Sequence, residues 1–141
     1  MKKLFLLILL SPIFAFSHED WEHVGTSIKQ DEFYIRRVEK KDNHGKITFW
    51  IKMQKPEKIE KSEASVFTSG DYSVTKYEGN CSEMTLRILG GVLYNKKGNS
   101  KVNLVENYDS DIAMPDSIAE TLLDAACKKV LSKYNINDYI E

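Results

Sequence analysis

Two cysteines, Cys81 and Cys127, restrict what this chain can fold into more than any other pair of residues. Cys81 lies in "SVTKYEGNCSEMTLRIL", a run with the alternation of strands, and Cys127 lies in "SIAETLLDAACKKVLSKY", a run of helical character. If the thiols are joined, a strand end and a helix face must sit within disulfide reach of each other. Whether they join depends on the compartment. The chain opens with "MKKLFLLILLSPIFAFS": Lys2 and Lys3, then an apolar run from Leu4 to Leu10, then small residues at Ala15 and Ser17. This is the pattern of a secretory signal peptide over residues 1–17, too short in its apolar part to span a bilayer stably. No cysteine stands near the expected cut after Ser17, so a lipid-anchored form is not expected. No later run approaches about 18 consecutive apolar residues, so no membrane span is expected after cleavage. Outside the cytosol, two cysteines usually end up joined.

The segment after the cut, 18–141, holds 124 residues (141 − 17), which fits one domain. It carries 18 basic residues (20 less Lys2 and Lys3) against 21 acidic, a formal charge of −3 (18 − 21). That balance argues against nucleic acid as a partner, because phosphate contacts need clustered positive charge.

Periodicity sets the fold class. In "KITFWIKM", Ile47, Phe49, Ile51 and Met53 face one way while Thr48, Trp50 and Lys52 face the other. "EFYIRRV" supplies a partner strand across the turn residues "DNHG", and "WEHVGTS" allows a short first strand ending at Gly25. "QKPEKIEKSE", broken by Pro56, reads as an exposed connection. "ASVFTSG", "YSVTKYE" and "CSEMTLRIL" follow as further strands, with a bend or bulge at Gly90 and Gly91 before "VLYN". "KVNLVE" returns as the last strand after the loop tip "NKKGNS". Then the period changes. Ile118, Leu122, Ala126 and Val130 recur every fourth residue, and Leu123, Cys127, Leu131 and Tyr134 form the adjacent row, as one apolar helix face requires. Ser117 with Glu120 fits a capping box, and the helix is expected over about 117–133. The expected fold is α+β: an antiparallel sheet of about five or six strands with one packed C-terminal helix.

Cys127 falls on the helix face that should meet the sheet, and Cys81 at the start of a strand in it. A disulfide is therefore expected, with a buried pair of free thiols as the alternative. A catalytic thiol wants a histidine partner, but the three histidines, His18, His23 and His44, lie in the first third of the chain. A structural zinc site wants closely spaced ligand pairs, and neither cysteine has one.

Several constellations invite function. Once residue 18 becomes the N-terminus, the amine and imidazole of His18 with His23 form a weak copper candidate; exposed terminal residues more often only look like ligands. Lys96, Lys97 and Lys101 gather at the tip "NKKGNSK", where they either grip an acidic or sulfated partner or simply solvate a turn. Trp50 shares its face with Thr48 and Lys52; that face is expected beneath the helix, the alternative being an aromatic open to a partner. The carboxylates Asp109, Asp111 and Asp116 before the helix read as capping and dipole partners. Neither a nucleophile elbow, a phosphate loop nor a metalloprotease histidine pair is present, so neither catalysis nor a cofactor is expected.

Trp21, "FYIRR" before a Trp-bearing strand, "YEGNCSEMTLRIL", "LYNKKGNSKV" and "MPDSIAETLLDAAC" stand in an order that resembles the surface-adhesin protein E family. The resemblance covers about Trp21 to Cys127. It implies a small secreted α+β domain with a Cys81–Cys127 disulfide, and an adhesive role of the kind in which relatives bind host matrix and serum proteins such as vitronectin and laminin. Three features depart from the family's pattern: the lipid-bearing cysteine is missing, Arg36 stands where relatives often have Asp, and Asp116 replaces the glycine of a Pro-Gly-Ser helix entry. The function expected is a noncatalytic, exported binding domain with a protein or acidic polysaccharide partner. The alternatives are a periplasmic envelope protein with a bacterial partner and, more distantly, a small enzyme or copper-binding protein.

Overall fold

The computed structural model describes residues 20–58 and 66–133. The expected signal peptide, His18 and Tyr134 lie outside these residues. Seven antiparallel strands form one sheet: β1 (Glu22–Thr26), β2 (Glu32–Lys40), β3 (Lys46–Gln54), β4 (Tyr72–Asn80), β5 (Thr85–Tyr94), β6 (Ser100–Leu104) and the two-residue β7 (Asp111–Ile112). The first six follow one another across the sheet in chain order, and β7 pairs with the other end of β5. A single helix, α1 (Ile118–Lys133), comes last.

Alternation decides which residues become core. On β3, Ile47, Phe49 and Ile51 are buried, and they meet Phe33, Ile35 and Val38 of β2 on the same face. From α1, Leu122, Leu123, Ala126, Cys127 and Val130 close over them. Fully burying side chains of this size contributes about 1.5–3 kcal/mol each. The closest approach is at Gly79 on β4. A Cβ there would stand 2.5 Å from Leu123 Cδ1 and 3.1 Å from Phe49 Cε1. The helix rests directly on that backbone.

The α+β architecture and the helix agree with the periodicities, and so does the staple: Cys81 and Cys127 are disulfide-bonded, with Cα atoms 5.8 Å apart. With the cysteines 46 positions apart in sequence, the chain-entropy account gives about 4 kcal/mol of stabilisation. The expected bulge is present too. Lys76 pairs with Gly90 but Tyr77 with Ile88, leaving Leu89 as the extra residue, and Gly90 takes a φ of 145° that glycine tolerates.

Five local expectations are corrected. "ASVFTSG" is not a strand over its described residues: Val66–Gly70 forms bends and a turn, tied by Thr68 to Asp71. Cys81 is not the start of a strand. It opens the turn of residues 81–84, in which Asn80 Oδ1 accepts from the Ser82 and Glu83 amides, and β5 begins at Thr85. Met84, expected in that strand, sits at φ 51° in the turn. Leu131, expected in the apolar row of α1, is 39% exposed and is not among the helix's buried residues. Finally, α1 packs on the Ile47, Phe49 and Ile51 face, so the face of Trp50 is not beneath it.

Candidate binding surface

The face opposite α1 is built by the other half of the same alternation. Across neighbouring strands the pairing sets Arg36, Trp50 and Lys76 in one row, and Tyr34, Lys52 and Val74 in the next. A third row holds Glu32, Gln54, Tyr72 and Tyr94. Side chains directly opposite on one face approach closely, so aromatic rings and cations necessarily meet here. Lys52 Nζ lies 5.6 Å from the Tyr34 ring centroid and 5.2 Å from that of Tyr72. Arg36 covers the Trp21 ring at 4.4 Å, and Lys76 Nζ stands 5.8 Å from that of Trp50. Tyr72 stacks on Tyr94, with centroids 5.0 Å apart. Such cation–ring contacts hold long side chains in place without neutralising them.

Acids sit at the ends of this face. At one end Glu78 accepts from Lys41 and, at 2.9 Å, from Arg87 Nε. Burial alone would raise the Glu78 carboxyl, but the hydrogen bonds and charges of Lys41 and Arg87 outweigh it and hold the pKa below the ordinary value. At the other end Tyr34 donates to Glu32 Oε2 at 2.6 Å, which raises the tyrosine's own pKa. There a cleft of about 780 Å³ opens between Glu32, Gln54, Tyr72 and Lys96. Among the described residues, Arg36, Lys52 and Lys76 form no ion pair with a carboxylate.

The three lysines of the β5–β6 tip have different surroundings. Lys96 lines the cleft and Lys97 is exposed at the turn, whose amides are held by Asn95 Oδ1. Lys101 instead turns inward: its Nζ donates to Asp71 Oδ2 at 2.7 Å and to the Val66 carbonyl at 2.9 Å. Trp50 is half-buried in the middle of the open face. His23 packs edge-on against the Tyr34 ring at 5.2 Å; His18, its proposed copper partner, lies outside the described residues. Among the described residues no three His, Cys, Asp or Glu side chains converge as a metal site.

Sequence reasoning singled out Trp50 but missed Arg36, Lys52 and Lys76 as a group. The signal was present in "TFWIKM", where Trp50 and Lys52 share a face. What joins them to Arg36 and Lys76 is strand register, which no single strand contains.

The family model for surface-adhesin protein E matches residues 21–128, more than half of the 141-residue chain. The chain belongs to the surface-adhesin protein E family. No curated protein and no solved structure matches it. The adhesin-family segment contains the entire sheet, the disulfide and α1 as far as Lys128. It includes every cation and aromatic of the open face. Among the described residues no helix is long and apolar enough to cross a membrane.

Proposed function

We propose that this chain is an exported, noncatalytic binding domain that engages an anionic partner through its exposed surface. The observation that carries this reading is the open sheet face, where three cations stand on aromatic supports without carboxylate partners, in a domain of an adhesin family. Membership of that family favours host matrix or serum proteins as partners over cytosolic ones. The buried carboxylates Asp31, Asp71 and Glu78 are each engaged by cations that hold the fold together, which favours a structural role for them over catalysis.

The test uses the exported, oxidised protein. Its mass should correspond to a chain beginning at His18 with no free thiol. Immobilised matrix and serum proteins, including vitronectin and laminin, should bind it saturably, release it with salt, and remain chemically intact. No saturable binding, or conversion of a partner into a product, overturns the reading. Fractionation decides the side of the envelope: protein confined to the periplasm would move the partner to the bacterium itself.

A further inference from the structure

We infer that the open face is a site for an acidic polysaccharide, with Arg36, Lys52 and Lys76 as the residues that take its sulfate or carboxylate groups. This deepens the binding-domain reading and rests on it. Arg36 on β2 and Lys76 on β4 flank Trp50, two strand spacings or about 9–10 Å apart at the backbone. Lys52 lies two residues along β3 from Trp50, about 7 Å further. The three form a triangle of fixed positive charge, matching charges carried on successive or alternate sugar rings. The long side chains are already supported, so less rotamer freedom is lost on binding. Tyrosine hydroxyls beside the cations supply the donors and acceptors that sugar hydroxyls need.

Other polyanions fit less well. Single-stranded nucleic acid binds such sheets by laying bases on free ring faces. Here Lys52, Arg36 and Lys76 stand over the rings, and Tyr72 and Tyr94 cover one another. The buried core of a protein–protein contact is more apolar than its rim, so direct contact with a partner's protein surface suits other parts of this domain better. Most of the large exposed apolar side chains, Val102, Val105, Tyr108, Ile112 and Met114, lie instead along β6, β7 and their connections, and the others, Ile28, Val66 and Leu131, are also outside the rows of the open face. Charge is arranged in the same sense: positive in the middle rows of the face, with the acids Glu32, Glu39 and Glu78 in its end rows.

Both tryptophans of the chain, Trp21 and Trp50, lie under these cations, which supplies a built-in reporter. The oxidised domain is titrated with a size-defined heparin oligosaccharide, followed by tryptophan emission and by calorimetry. Single-stranded DNA and polyglutamate of equal charge serve as comparison probes. Heparin should shift the emission and bind more tightly than either comparison probe. Lys52→Gln with Lys76→Gln should weaken it by about tenfold, as expected for losing two exposed charge pairs. Lys52→Arg with Lys76→Arg should retain binding, and thermal melting of each variant establishes folding. Lys96→Ala with Lys97→Ala should change affinity by less than about threefold. Equal binding by the Gln variant, or by DNA or polyglutamate, overturns the assignment. If the protein binds a matrix protein saturably but not heparin, this inference falls and the binding-domain reading stands.

Discussion

At Asp71 a carboxylate with 1% of its side chain exposed accepts hydrogen bonds from Lys101 Nζ at 2.7 Å and from the Thr68 amide and hydroxyl at 2.8 and 2.9 Å. Burial pushes its pKa up, but those bonds and the lysine's charge outweigh it, and the net shift is downward. Removing the lysine strands the charge. Lys101→Ala should therefore cost about 2–3 kcal/mol, at or below the bottom of the range of about 3–5 kcal/mol for breaking a fully buried pair, because Lys101 itself is partly exposed. Denaturant unfolding measures this, and a loss under about 0.5 kcal/mol, typical of a surface lysine, would remove Lys101 from the framework. Another residue-scale strain lies at Asp116, with φ of 59° just before the helix. A side chain there is in the left-handed region, which glycine occupies freely. Glu120 Oε2 accepts from the Asp116 amide and Ser117 Oγ from the Glu120 amide, so the cap does not need the aspartate side chain. Asp116→Gly should raise stability by about 0.5–1 kcal/mol, read as a higher melting temperature.

Between elements, the decisive contact is α1 on the strands. Gly79→Ala places a methyl group where Leu123 and Phe49 already sit, so the helix must lift or the core must shift. A loss of about 1–3 kcal/mol is expected, and Leu123→Ala in the same chain should recover part of it. Cys81→Ser with Cys127→Ser should cost up to about 4 kcal/mol, with amide exchange in α1 accelerating more than in β3. Much of this level was legible beforehand. The fourfold spacing of Ile118, Leu122, Ala126 and Val130 specified the helix, and the alternation of Ile47, Phe49 and Ile51 specified the inner face. The side α1 would choose was not legible, because both faces of β3 carry an aromatic residue and only the assembled sheet shows which is apolar on every strand. The turn at residues 81–84 was hidden for a different reason: Met84 and Leu86 mimic strand alternation, while the cap from Asn80 that ends β4 is a side-chain bond that residue type alone does not announce. β7 is two residues long, below the length at which alternation exists. The open face was half visible, in Trp50 and Lys52, and became a surface only through register.

For the molecule as a whole, three carboxyls have lowered pKa values, Asp42 and the cation-paired Asp71 and Glu78, and the latter two carry most of the response to acid. Asp71 and Glu78 have folded-state pKa values below their ordinary ones. Their contribution is therefore complete above the unfolded-state values near 4 and is lost as pH falls through the folded-state values. Stability should stay level from neutral pH to about 5 and decline below about 4. In Lys101→Ala the part due to Asp71 should disappear, flattening the decline. An unchanged acid profile in that variant would mean that Asp71 is not the group responsible. The strand order has a temporal consequence as well. Each strand from β2 to β6 pairs with the one made just before it, yet α1, made last, packs against β1, β2 and β3, the earliest. A chain growing from its N-terminus can zip hairpin onto hairpin as it emerges. It nevertheless remains roofless until α1 has been synthesised, and a premature stop between β7 and α1 leaves a finished sheet with one greasy side wet.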